Sequence, residues 1–314
     1  MGRVAQIRGR SSSRRLILFI TIAGLVIAGA ASAKEFTDWS PAVDAEALSG
    51  SSDQVNTASS DGCPILSPYT NDLYMASNRT GSVPNGNGGL SLDIWIAHWN
   101  GSGWDTPVNA GPQINTSADE FCPDPARGNR LFFVRRLSPT NTDIFLSKQL
   151  PGGFTTPEPL PRGDNAINSP FEEWSPSYFE VGGRQFLYFS STRQSTPPAQ
   201  DIFYSVDFGP AQFAPGGVNS SASDARPNVR HDGLEIVWDS TRTGSQATDI
   251  WTSTRSSVDD PWDPAVQLGT GINSAAGESR ASLSWDGTVL MFGSTRSGNS
   301  DIYVSRRDKA TGND

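Results

Sequence analysis

The sequence predicts an all-β protein: a five-bladed β-propeller of four-stranded blades, the last blade closed by the N-terminal strand. Three observations predict it. Asp-Ile-aromatic recurs five times, at Asp93, Asp143, Asp201, Asp249 and Asp301, with spacings of 50, 58, 48 and 52 residues. A second marker runs in register with the first, an Asn followed five places later by an acid: Asn56/Asp61, Asn115/Glu120, Asn168/Glu173, Asn219/Asp224 and Asn273/Glu278. Helix-period stretches are missing, and short aromatic or β-branched runs alternate with clusters of turn residues. A supersecondary unit repeated at this period reads as a ring of blades.

Within each unit the strands follow in order. The first comes after the acid, as in PILSP (64–68) or ASLSW (281–285). A tight turn follows: Asp232-Gly233 and Asp286-Gly287 are strong hairpin signals, and Gly128-Asn129 and Gly182-Gly183 serve the same end, because such turns need residues that accept a positive φ. The second strand is LYMAS (73–77), LFFV (131–134), FLYFS (186–190), EIVW (235–238) or VLMFG (289–293). These runs are apolar on both faces, as expected of strands packed between neighbouring sheets. Asp-Ile-aromatic opens the third strand. The fourth carries an aromatic-x-x-Pro signature, as in Trp104 to Pro107 and Phe154 to Pro157. The fifth unit stops after its third strand, DIYVSRR (301–307), while FTDWSPAV (36–43) looks like a fourth-strand segment. The two ends are therefore expected to share a blade, which leaves no open end to the array.

The remaining residues are assigned by composition. Residues 1–33 read as a signal peptide, with a basic region of five arginines, an apolar run from Leu16 to Ala30, and the small-x-small site Ala31-Ser32-Ala33; an uncleaved anchor is the alternative. The propeller is placed at 34–307 and a flexible tail at 308–314. The expected location is secreted or periplasmic, with no membrane span once the signal is removed. Loss of the leader's five arginines from 24 basic residues leaves 19 against 33 acidic ones, a net charge of −14. Such a surface disfavours nucleic acid. A monomer is expected.

Four units also spell Ser-x-Arg before a loop that leads to Asp-Ile-aromatic: ASNRTG (76–81), SSTRQS (190–195), DSTRTG (239–244) and GSTRSG (293–298). With these motifs the sequence resembles the WD40-like propeller repeats of the TolB type, over essentially the whole mature chain. That resemblance implies the propeller fold but no single activity, since such propellers serve as binding platforms, assembly modules and non-catalytic domains. Unit two departs from the pattern. There Val134-Arg135-Arg136-Leu137 replaces Ser-x-Arg in shifted register, so the motif's role is expected to be altered in that blade.

A motif repeated in every blade reads as scaffold, because an active site needs one asymmetric constellation. Arg79, Arg193, Arg242 and Arg296 are accordingly expected to pair with the Asp of their own or a neighbouring Asp-Ile-aromatic, planar guanidinium being suited to bidentate carboxylate pairing. The acid row, Asp61, Glu120, Glu173, Asp224 and Glu278, precedes the inner strands and should ring one mouth of the channel. Two places on, the blades disagree: Cys63, Cys122, Ser175, Arg226, Arg280. This mouth is the candidate site for a small polar ligand. No cofactor is predicted, although an oxygen-rich ring could hold a hard cation. Each acid could instead cap local N–H groups or meet an arginine. Cys63 and Cys122 hold equivalent places in adjacent blades and are either bonded to each other or two free thiols.

Nucleophile-elbow, zinc-protease and phosphate-loop motifs are missing. The functional expectation is an exported, non-catalytic propeller that binds a protein or a small polar ligand. The alternative is a carbohydrate-active five-bladed enzyme working through channel carboxylates, since glycoside hydrolysis uses paired carboxyl groups.

Overall fold

A computed structural model describes residues 1–2, 35–194 and 199–310. The assigned leader beyond its first two residues, part of the 194–200 insertion and the end of the 308–314 tail lie outside the described residues. Five antiparallel sheets follow one another along the chain. The N-terminal strand β1 (Val43–Asp44) is set aside for the end. Blade one is β2 (Asp61–Leu66), β3 (Leu73–Ser77), β4 (Asp93–Ala97) and β5 (Val108–Asn109). Blade two is β6 (Glu120–Ala126), β7 (Arg130–Ser138), β8 (Asn141–Leu150) and β10 (Glu158–Pro159), with β9 (Gly153–Phe154) folded back on β8. Blade three is β11 (Glu173–Val181), β12 (Arg184–Ser191), β13 (Asp201–Val206) and β14 (Gln212–Phe213). Blade four is β15 (Asp224–Val229), β16 (Glu235–Ser240), β17 (Asp249–Thr254) and β18 (Val266–Gln267). Blade five is β19 (Glu278–Leu283), β20 (Val289–Ser294) and β21 (Asp301–Arg306), and β1 completes it with Val43 opposite Val304 and Asp44 opposite Tyr303.

Closure by the N-terminal strand is therefore observed, at the end of the expected segment rather than along its length. Phe36 forms a separate bridge to Lys309. The aromatic-x-x-Pro signature of blade one sits just ahead of the short outer strand rather than within it, as does the related Trp262-Asp263-Pro264 of blade four. Its aromatic ring is a plug: Trp104 and Trp262 are buried, and Trp104 donates its indole N–H to the Asn71 carbonyl at 2.9 Å. The hairpin glycines behave as expected, with φ of +76° at Gly233 and +73° at Gly287.

The core is divided among the gaps between blades. Tyr74, Ile94, Phe133 and Phe145 fill the gap between blades one and two. Phe132, Val134, Leu187 and Phe189 fill the next, Tyr188, Ile202, Ile236 and Trp238 the third, and Val237, Ile250, Leu290 and Phe292 the fourth. Leu73 and Met75 meet Met291 and Ile302 at the ring closure. Second strands are buried on both faces, as β3, β16 and β20 are throughout, which accounts for their unbroken apolar runs.

Two polar devices repeat around the ring. In the first, the Asn of each repeat grips the third strand of the preceding blade. Asn115 Oδ1 accepts the Ile94 N–H at 2.8 Å, and its amide donates to the Ile94 carbonyl at 2.9 Å. Asn168 does the same for Ile144, Asn219 for Ile202 and Asn273 for Ile250. Asn56 closes the circle on Ile302. The second device is the acid–arginine pair.

Candidate functional site: the channel and its two mouths

The acid row does not open onto the channel mouth. All five carboxylates are fully buried, and each is bonded within its own blade. Asp61 pairs with Arg79 at 2.5 Å, Glu120 with Arg135 at 2.6 Å, Glu173 with Arg193 at 2.9 Å, Asp224 with Arg242 at 2.5 Å, and Glu278 with Arg296 at 3.1 Å. Each also accepts the backbone N–H and the hydroxyl of the residue four places earlier: Thr57, Thr116, Ser169, Ser220 and Ser274. Burial pushes Glu120 and Glu173 above the usual carboxylate range, against the pull of these bonds. The acid row is thus the partner of Ser-x-Arg, and the expected partner, the Asp of Asp-Ile-aromatic, is not. The reason is register. Asp61 lies opposite Ser77 across β2 and β3, so an arginine two places past that serine folds back onto the acid.

Blade two keeps the pair by another route. Arg135 lies directly opposite Glu120, where the other blades have serine. It reaches the carboxylate and the Ile114 carbonyl, as Arg79 reaches Asp61 and the Val55 carbonyl. The shifted register therefore preserves the motif's role, contrary to expectation. The Asp-Ile-aromatic acids have other work. Asp93 accepts from the Val83 N–H, Ser91 and Asn109, so it holds the loop between β3 and β4. Asp143 pairs with Arg162, Asp249 accepts from Gln246 and Gln267, and Asp301 accepts from Ser297. Asp201 is also buried.

The lumen is lined two places past the acids. Cys63, Cys122, Ser175, Arg226 and Arg280 all adopt left-handed backbone, with φ from 48° to 57°. At each the pairing of first and second strand slips by one residue. This is a β-bulge repeated five times, and it re-aims these side chains. In four blades the next residue is proline (Pro64, Pro123, Pro176, Pro227), which suits a position where no N–H is needed. Cys63 and Cys122 are bonded as a disulfide, with Cα atoms 4.8 Å apart. It joins the inner strands of blades one and two. Arg226 grips Asp239 with two N–H groups, at 2.8 Å to Oδ1 and more closely to Oδ2. Nothing in the repeat marks Asp239, whose counterparts are Ala76, Val134, Ser190 and Gly293. These residues surround a cavity of about 30 Å³.

The next level of the lumen stitches neighbouring blades. Asp124 accepts the Tyr178 N–H at 2.7 Å, Ser177 the Val229 N–H at 2.9 Å, and Asn228 the Leu283 N–H at 2.9 Å, while Ser282 donates to the Pro64 carbonyl at 2.6 Å. Asp124 has no ion-pair partner among the described residues, and burial raises its pKa to about 8. It is a channel carboxyl that keeps its proton at neutral pH. The sequence carried no sign of it, since its counterparts are Ile65, Ser177, Asn228 and Ser282. Asp124 lines a second cavity of about 40 Å³ with Tyr178, His231, Ser284 and Trp285. At this hairpin-side mouth His231 stacks on Trp285 with ring centroids 4.3 Å apart, and the Arg127 guanidinium lies 4.7 Å from the Trp285 ring. Arg230, the residue before His231, lines a larger groove of about 860 Å³ between blade four and the N-terminal segment. Trp39, Thr252, Thr254 and Gln267 line it further out. Among the described residues no group of three or more His, Cys, Asp or Glu is placed to hold a metal ion.

No known family profile matches the sequence, and no curated protein matches it. Solved structures of like fold do exist. A thermostable family-43 glycoside hydrolase is 14% identical, with a TM-score of 0.56, over 84% of this chain and 94% of that one. The catalytic domain of a Coprinopsis cinerea GH62 α-L-arabinofuranosidase is 10% identical, with a TM-score of 0.56, over 87% of this chain and 98% of that one. A putative TolB from Agrobacterium tumefaciens is 16% identical, with a TM-score of 0.47, over 76% of this chain and 71% of that one. At these identities the likeness is one of fold, and the protein is a five-bladed β-propeller. The TolB-type resemblance holds to that extent and no further. Glycoside hydrolases recur among the propellers of like fold, in families 43, 62 and 117. That recurrence overturns the expectation of a non-catalytic binding or interaction module.

Proposed function

We propose that the protein is a carbohydrate-active propeller that acts on a glycan at the hairpin-side mouth of its channel, with Asp124 as proton donor. One observation carries the reading: Asp124 is a buried channel carboxyl, free of any ion pair among the described residues and protonated at neutral pH. Glycoside cleavage needs an acid of raised pKa to protonate the leaving oxygen. A separate groove, between blade four and the N-terminal segment, gives such a glycan further surface. It has room for a short oligosaccharide, an aromatic side chain in Trp39, and hydroxyl and amide groups in Thr252, Thr254 and Gln267. Fold-level likeness to glycoside hydrolases raises the prior for this class. The acid row does not serve as the second carboxyl group, because Glu120, Glu173 and Glu278 are sealed into ion pairs. Export, expected from the basic and apolar N-terminal segment, belongs to the same proposal. Among the described residues no helix is long and apolar enough to cross a membrane.

The test is turnover on a broad panel of plant, algal and microbial glycans by the mature protein and by Asp124→Asn. Wild type is expected to release sugar. The variant should lose about 10²–10⁴-fold in rate, the usual worth of general acid catalysis, while keeping its fold. A Trp39→Ala variant should raise KM with little change in kcat. An inert wild type, or an Asp124→Asn protein as active as wild type, would sink the proposal.

A further inference from the structure

The lumen at the level of the bulges carries one more positive charge than its partners neutralise. Arg226 and Asp239 satisfy one another, and the remaining capacity of Asp239 Oδ1 goes to the Arg280 backbone N–H at 2.9 Å. The Arg280 side chain has no ion pair among the described residues, and its Nε is buried without a hydrogen-bond partner. Ser175 Oγ, two blades away on the same cavity, is buried without a partner as well. The guanidinium is held in place by an absence of side chains. A Cβ on Gly62 would stand 3.2 Å from Arg280 Nη1, and the facing residue of β20 is also a glycine, Gly293. The rest of the wall is proline, Ile65, Ala281 and the disulfide, with Asn228 and Ser282 already bonded to the Leu283 N–H and the Pro64 carbonyl.

A buried charge without a counter-charge is expensive, and so is a buried donor without an acceptor. Here two orphaned donors, one of them charged, belong to residues that line one cavity of about 30 Å³, room for roughly one small ion or a water or two. Burial and the neighbouring Arg226 lower the Arg280 pKa to about 10, against the pull of Asp239, which already serves Arg226, and the side chain stays cationic at neutral pH. We propose that the lumen binds a small monoanion of the halide class between Arg280 Nε and Ser175 Oγ, so that an otherwise acidic protein carries a structural anion on its axis. Water in the same place would accept the hydrogen bonds but would not neutralise the charge.

The experiment compares thermal unfolding of the mature protein in sodium chloride, sodium bromide and sodium gluconate at equal ionic strength. Chloride and bromide should raise Tm over gluconate by about 2 °C or more, the size expected when a ligand well above its Kd binds only the folded state. Arg280→Met should lose that difference, and Ser175→Ala should weaken it. A bromide-soaked crystal of the wild type should show an anomalous peak in the lumen beside Arg280. That measurement decides the matter even if Arg280→Met does not fold. A lumen without bromide, or a wild type that melts alike in all three salts, overturns the proposal.

Discussion

Asp124 and Glu173 are both buried carboxyl groups on inner strands whose pKa burial raises, yet their partners differ. Glu173 has Arg193, Ser169 and Ser191 around it, whereas Asp124 has one backbone N–H. The pH dependence follows from this. Asp124 titrates near 8 when folded and near 3.9 when unfolded, so the folded state holds the extra proton between those values. Stability therefore falls as pH rises through that window and levels off above it. Asparagine keeps the acceptor for Tyr178 and removes the charge. Asp124→Asn should give a flatter stability curve from pH 4 to 8 and melt several degrees above wild type at pH 9. Parallel curves for the two proteins in calorimetry would mean that Asp124 is ionised at neutral pH, and its role as proton donor would fall with that. Amide substitution within an acid–arginine pair should act on stability in the opposite sense. Glu173→Gln should lower stability by about 3–5 kcal/mol, since it leaves a buried guanidinium unbalanced. Urea unfolding reads this directly, and no loss of turnover is expected beyond that due to unfolding.

At the scale of elements, each blade is held to the one before it by an asparagine that imitates a strand. Asn168 bonds both the N–H and the carbonyl of Ile144, and the Leu160 carbonyl too. Those groups lie where water does not replace the amide. Asn168→Ala should cost about 1–3 kcal/mol, seen as a lower urea midpoint, while alanine at the exposed Asn165 should cost little. An equal effect at the two positions would remove the inter-blade clip from the account. The bulges are the other recurrent element. They tolerate cysteine, serine and arginine at positive φ, but a β-branched residue there is a steric outlier.

The whole molecule is a ring closed by a strand and stapled by a disulfide. Strand β1 ties the N-terminal segment to blade five, and the Cys63–Cys122 bond, 59 residues apart in sequence, ties blade one to blade two. A cross-link over a loop of that length is worth about 2–4 kcal/mol through the unfolded state. The Cys63→Ser, Cys122→Ser double variant should unfold at correspondingly lower urea, with wild-type spectra before the transition. An unchanged midpoint would mean that the bond does not contribute to the ring's stability.

The repeat was legible in sequence because every blade obeys the same local physics. Each needs an acid for its hydroxyl and N–H donors, an asparagine for the neighbouring strand, glycine or asparagine in its hairpin, and two-faced apolar strands for the gaps. Blade number, strand order and closure followed from counting those needs. Partner choice was not legible. Ser-x-Arg could face either of two recurrent acids, and only the register of first and second strands sends it to Asp61 and its equivalents. Blade two makes the point most clearly: Arg135 enters the sequence as a departure and arrives at the same carboxylate. The lumen was hidden for a related reason. A bulge turns the residues two past the acids inward and leaves the acids sealed in the wall, and that shift of side-chain direction has no signature in a one-dimensional period. Asp124, Asp239 and the unbalanced Arg280 matter because of what surrounds them, and those surroundings come from four other blades. Sequence periodicity determined the ring. Which carboxyl keeps a proton and which arginine lacks a partner were decided by the close approach of distant strands on its axis, where burial sets the energy of every charge.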